Sequence, residues 1–167
     1  PVSGNVLLRK EQYRRSEDPI ASAELARSIV RAKVANCRIV LLRALRDHPD
    51  SSGADRVRIA VERLAAILER LERSLPLDAV RGLEGESAHY YFEAFDCLIV
   101  GQKEDFYFRT RTRRPPLDNV NSMLSFAYTL LTHDTRSALE SVGLDPAVGF
   151  LHRDRPGRPG LALDLVE

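Results

Sequence analysis

The chain has 167 residues, 25 basic against 24 acidic side chains, and a hydrophobic fraction of 44%. That is enough apolar material for one domain with a real core, and it argues against disorder. No run of about 18 apolar residues exists to cross a membrane, and the two distant cysteines, Cys37 and Cys97, encode neither a disulfide framework nor a zinc ribbon.

Residues 1–18 read as an interdomain linker, and residues 19–167 as a helical domain. Asp18 and Pro19 have the chemistry of an N-cap and a first helical position. Beyond them Ile20, Leu25, Ile29, Val34, Cys37, Leu41 and Leu45 recur at roughly helical spacing and predict a helix to about residue 47. Turn residues fill 49–53 (PDSSG). A second helix follows to about residue 74, with Val57, Val61, Leu64, Ile67, Leu68 and Leu71 on one face. Its other face carries opposite charges at helical spacing, Asp55 with Arg58, Arg58 with Glu62, and Glu69 with Arg73.

A third helix is predicted from residue 77 to about 100, with Tyr90, Tyr91 and Phe92 as core and Gly82 and Gly85 weakening its propensity. A loop over 101–116 holds Phe106, Tyr107 and Phe108, then Arg109, Arg111, Arg113 and Arg114. Asp118 or Asn119 caps a fourth helix to about residue 142, and Gly143 is its C′ residue. Residues 145–160 are loop-like, with a short extended piece over 148–151. The closing segment, LALDLVE, opens a fifth helix that stops at Glu167, so material is expected to be missing at both ends. The class is all-α.

Three places concentrate acid and imidazole groups. Glu84 stands between two glycines in a helical pattern, where the missing side chains allow a ligand or backbone to come close. His152 ends an apolar stretch and enters a loop with Arg153, Asp154, Arg155 and Arg158. Asp164 and Glu167 are three apart, on one helix face. Two carboxylates and an imidazole make an oxygen-and-nitrogen set for Mg²⁺ or Mn²⁺, fit for metal-assisted phosphodiester chemistry. Of the 25 basic residues only Lys10, Lys33 and Lys103 are lysines; Arg pairs with carboxylate and phosphate as a planar fork, and a GC-rich genome accounts for the same bias equally well. The arginines at 109–114, beside Phe106 and Tyr107, suit phosphates and stacked bases. Equally, they suit a mobile loop paired with carboxylates.

Three ordered stretches resemble the CRISPR-associated integrase and endonuclease family Cas-one. RGLEG at 81–85, followed by Tyr91 and Phe92, resembles its first signature. RPPLDNVNSMLSFAY at 114–128 resembles the second, and GLDPAVGFLH at 143–152 with LALDLVE at 161–167 the third. The resemblance implies a metal-dependent DNA endonuclease and integrase that inserts spacers into the CRISPR array. It also implies a homodimer acting on double-stranded spacer and repeat DNA, while the two lone cysteines make a reducing, cytoplasmic setting the default. Cas-two would be the bridging partner, and a Cas-four nuclease an associated or fused one. It makes Glu84, His152 and Glu167 the ligands of Mg²⁺ or Mn²⁺, with Asp164 an assisting acid among the catalytic residues. Arg81, Asn121 and Tyr128 match family positions near the site. Together with Arg109, Arg111, Arg113, Arg114, Arg153, Arg155 and Arg158 they are the DNA-binding candidates. The family's N-terminal β domain is absent from these residues. The rival reading is a non-catalytic helical scaffold that binds DNA or a protein partner through the Arg-rich loops, and a weaker third is a helical regulator that binds no nucleic acid.

Overall fold

The computed structural model describes residues 5–166. Six helices form: α1 (Val6–Glu17), α2 (Pro19–Asp47), α3 (Ala54–Arg70), α4 (Leu77–Phe95), α5 (Asn119–Ser141) and α6 (Gly160–Val166). A 3₁₀ turn over Asp96–Leu98 follows α4, and no strand occurs among the described residues. The all-α class expected from the sequence is what the chain adopts.

The expected linker contains α1. Asn5 caps it, its Oδ1 accepting the amides of Leu7 at 3.1 Å and Leu8 at 3.3 Å, and Glu11 pairs with Arg14 and Arg15 at 2.7 Å each. Its anchor is polar. Gln12 is buried, its Nε2 donating to the carbonyls of Asp145 at 2.8 Å and Val148 at 2.9 Å while its Oε1 accepts the Asp145 amide at 2.8 Å.

Asp18 caps α2 as expected, its Oδ1 accepting the amides of Ile20 at 2.9 Å and Ala21 at 3.3 Å. The buried stripe of α2 is Ala23, Ala26, Val30, Val34 and Leu41, rather than one that begins at Ile20, which is 72% exposed. Ser22 and Ala23 are the buried residues of the first turn, with Ser22 Oγ donating to the Phe150 carbonyl at 3.2 Å, and Ile20 lies off that face. On α3 the buried residues Val57, Val61, Leu64 and Ile67 match the sequence pattern, and Asp55 pairs with Arg58. α4 runs through Gly82 and Gly85 without a break. It ends five residues earlier than the sequence pattern reaches, in the 3₁₀ turn. Asp118 caps α5, with Oδ1 2.7 Å from the Asn121 amide, and Gly143 follows the helix at φ 89°.

The chain divides into two compact units. The first takes in residues up to Val30, Ser74–Arg81 and those from Ala127 on; the second takes in Arg31–Arg73 and Gly82–Phe126. In the first unit Leu139, Leu161 and Ala162 are buried together, with Leu144 and Phe150 against them. In the second, Leu41, Leu64, Ile67 and Leu71 are fully buried. There Tyr91, Phe92, Phe95 and Phe108 form a ring cluster, with Phe95 and Phe108 4.8 Å apart. Cys37 and Cys97 are half-buried free thiols. No described helix is long and apolar enough to cross a membrane.

Candidate metal and nucleic-acid site

The first unit holds His152 by an unusual investment. Asp164, on α6, is fully buried. Its Oδ2 accepts the amides of Phe150 at 2.6 Å and Leu151 at 3.1 Å, and its Oδ1 accepts the His152 amide at 3.0 Å. The same Oδ1 lies 2.7 Å from His152 Nδ1. Burial alone would raise the Asp164 pKa, but the hydrogen bonds from the His152 ring and the three amides outweigh it and hold the carboxyl below its ordinary value. An ionised carboxylate can only accept, so Nδ1 carries the hydrogen and the lone pair of a neutral ring sits on Nε2. Backbone crowding makes this possible. A Cβ at Gly149 would come within 2.8 Å of Asp164 Oδ2, and one at Gly160 within 2.7 Å of the Ala147 carbonyl. The stretch over 148–151, expected to be extended, is instead a loop whose amides turn toward one side chain.

Arg81 belongs to the same unit. Its Nε donates to the Leu151 carbonyl at 2.7 Å, and a terminal nitrogen pairs with Asp78 at 2.9 Å. Arg81 therefore fixes the residue before His152. Arg153 and Arg155 are exposed and Arg158 is half-buried. Tyr128 is half-buried on α5.

Glu84 lies in the second unit, where Lys33 of α2 donates to its carboxylate. Sequence reasoning missed Lys33. The signal was available, because a rare lysine sits among Val30, Val34 and Cys37 at helical spacing, in line with the buried stripe. A Cβ added at Gly82 or Gly85 would meet nothing within 4 Å, so both flanks of Glu84 are open. A cleft of about 880 Å³ in this unit, lined by His48, Gly53, Arg56, Asp96, Cys97 and Lys103 among others, contains none of the predicted ligands.

The Arg-rich loop is built around Asn121, which is fully buried. Its Oδ1 accepts from the Thr112 amide at 3.0 Å and Arg111 at 2.9 Å. Its Nδ2 donates to the Thr110 carbonyl at 2.9 Å and Asp118 at 2.7 Å. Arg111 thus supports the loop from inside. Arg109, Arg113 and Arg114 are exposed, with the Arg109 guanidinium 5.3 Å from the Tyr107 ring centre.

The donor types fit a hard divalent cation: a carboxylate at Glu84, and an imidazole whose other nitrogen is held by a buried carboxylate. Both oxygens of Asp164 are occupied by the loop and the ring, which makes it a positioning residue. Among the described residues no three His, Cys, Asp or Glu gather into a metal cluster; Glu167, the expected third ligand, lies outside them.

The chain belongs to the family of CRISPR associated protein Cas1, whose model matches residues 1–167. It is 57% identical over 171 residues to a CRISPR-associated endonuclease Cas1 of Rhodospirillum rubrum, and 53% identical over 167 residues to one of Chlorobaculum tepidum. Each match covers 100% of this chain and 49% of the relative, so the chain spans about half the length of these curated relatives. A fusion of exonuclease Cas4 and endonuclease Cas1 from Geobacter sulfurreducens is 43% identical over 98% of this chain and 29% of its own length.

Among solved structures, a casposase bound to its integration product matches with TM-score 0.80 and 30% identity, over 99% of this chain and 44% of that one. A Cas6-RT-Cas1–Cas2 complex matches with TM-score 0.80 and 26% identity, over 96% of this chain and 17% of that one. The family resemblance expected from the three motifs is borne out, and the scaffold reading is not favoured.

Proposed function

We propose that this chain carries the metal-binding helical part of a Cas1 integrase, which joins the 3′-hydroxyl of a new spacer to a phosphodiester of the CRISPR repeat. Glu84, His152 and Glu167 would hold Mg²⁺ or Mn²⁺. When bound, the ion supplies polarisation of the phosphoryl oxygen and neutralises charge on the attacking and leaving oxygens. The spacer hydroxyl gives up its proton as its oxygen forms the new P–O bond, the bond to the repeat's own 3′ oxygen breaks, and that oxygen leaves with the electron pair and takes up a proton. Asp164 keeps the His152 ring in one tautomer and orientation, and Arg81 holds the loop that carries it. Exposed Arg109, Arg113, Arg114, Arg153 and Arg155 bind DNA phosphates.

The observation that carries this reading is Asp164, a fully buried carboxylate spent on aiming one imidazole. The proposed assembly is a homodimer bridged by Cas2, with Cas4 associated in some systems, acting in the cytoplasm on double-stranded DNA; a solved Cas6-RT-Cas1–Cas2 complex and a Cas4–Cas1 fusion among the relatives support the Cas2 and Cas4 parts. Calorimetry with Mn²⁺ on the full chain is the test. Binding near one ion per chain that is lost in His152→Ala, with integration lost in Glu84→Ala, is expected. A folded chain that binds no Mn²⁺, or a Glu84→Ala chain that integrates normally, refutes the site.

A further inference from the structure

The pairing of Lys33 with Glu84 goes beyond the ligand set, and its meaning rests on the reading of Glu84 as a ligand. Lys10 and Lys103 are exposed, whereas the Lys33 side chain is only 12% exposed. The Glu84 side chain it meets is 23% exposed. An ammonium and a carboxylate drawn this far from water each carry a desolvation penalty that only a partner offsets. Their neighbours in sequence lie in the core: Val34 is fully buried on α2, and Leu83 is buried on α4. Cys37, one turn after Lys33, completes the surroundings. Burial pushes its thiol pKa up, with the Lys33 charge opposing this and the Glu84 charge adding to it.

The residue type matters. Nearly every other cation in this chain is an arginine, whose rigid fork grips both oxygens of a carboxylate. Lysine offers a compact point charge on a flexible stem, which holds one oxygen and can swing away. A carboxylate that is to accept a divalent ion needs such a releasable partner, since two cations cannot share the same lone pairs without mutual repulsion.

We propose that Lys33 is a stand-in cation for Glu84. Its ammonium holds the carboxylate in place when no divalent ion is bound and gives way when one is, so metal loading is an exchange of cations. Lys33 is a positioning residue that lowers the apparent metal affinity while keeping the empty site ordered. A binding-competent state populated to about a tenth weakens apparent affinity about tenfold, which sets the scale.

The test uses the full chain, with Mn²⁺ as probe. Lys33→Met, close in length and uncharged, is expected to bind Mn²⁺ about tenfold more tightly than wild type, and Lys33→Arg more weakly. A second measurement needs no variant. Amine acetylation read by mass spectrometry should label Lys33 several-fold faster in saturating Mn²⁺, with Lys10 and Lys103 as unchanged controls. A Lys33→Met chain that folds and binds Mn²⁺ no more tightly than wild type, or a Lys33 labelling rate that ignores Mn²⁺, overturns the proposal while leaving the metal site standing. Absence of Mn²⁺ binding in both wild type and Lys33→Met removes the site and the stand-in together. Binding by Lys33→Met alone supports the exchange in its strongest form.

Discussion

His152 and Asp164 are joined twice, through the ring nitrogen at 2.7 Å and through the backbone amide at 3.0 Å, both to the same carboxylate oxygen. The first bond sets the tautomer of the ring, and the second sets the position of its backbone. A single buried side chain therefore controls both the direction and the height of the imidazole.

Asp164→Asn tests that control. An amide keeps one acceptor oxygen but turns an NH₂ toward groups that themselves donate, so part of the cradle is lost. Loss of such an orienting partner typically costs 10–100-fold in metal affinity, and a fall of about that size is expected in Mn²⁺ calorimetry. The accompanying destabilisation, about 2 kcal/mol or more for buried amides left without an acceptor, should appear in urea melts.

The same carboxylate predicts acid sensitivity. Its folded-state pKa is depressed relative to the ordinary value, so its contribution to stability is present above the unfolded pKa, about 3.9, and is lost as pH falls through the folded value. Asp96 is depressed as well: burial raises it, but the Lys103 ammonium and the Phe108 amide prevail. Melting midpoints should hold level down to about pH 5 and drop below about pH 4. Asp164→Asn should flatten that drop; an unchanged slope would assign the acid loss to other groups.

Arg81→Ala removes the donor to the Leu151 carbonyl. A charged hydrogen bond of this kind is worth about 1.5–3 kcal/mol, and the half-buried setting places the expected loss at the low end. Hydrogen exchange should quicken at residues 151–153, with α3 unaffected. Equal protection in the variant would show that Asp164 alone holds the loop.

In the Arg-rich loop, Asn121 and Arg113 separate architecture from contact. Asn121→Ala strips four side-chain hydrogen bonds from a fully buried position. It should cost about 3 kcal/mol in thermal or urea melts and weaken DNA binding through disorder of the loop. Arg113→Ala should leave the melt unchanged and reduce the salt dependence of DNA affinity by about one unit of slope.

Gly85→Ala is expected to stabilise the fold by about 0.5–1 kcal/mol, because the added methyl meets open space in the helix interior. If that space admits substrate, DNA affinity falls even as the melting temperature rises. A rise in both would show that the opening beside Glu84 is unused.

Much of this was legible in sequence where local chemistry dominates. Apolar spacing located α3, and Asp18, Asp118 and Gly143 marked helix ends through caps that act within a few residues. Helix α1 was not legible, because Gln12 docks it by hydrogen bonds and no apolar face announces it. The expected pairing of Asp164 with Glu167 on one helical face rests on a residue outside the described ones. Sequence spacing missed that Asp164 turns toward the loop carrying His152, a contact between positions twelve apart. The Lys33–Glu84 pair joins positions 51 apart, beyond the reach of any spacing rule.

The tie between residues 150–152 and Asp164 also pins both ends of the loop between them. With its ends fixed, that segment is free to change length at little cost, since each doubling of a flexible loop adds only about 0.6 kcal/mol of closure entropy. Its exposed Arg155 takes no part in that tie, and Arg153 is held by an exposed pair with Asp78 at 3.5 Å, so exchanging either should leave the imidazole in place. Under the proposed function, the firmness of the grip on DNA and the direction of the histidine would be separately adjustable, so that such a domain could acquire a new preference for its target without rebuilding its chemistry.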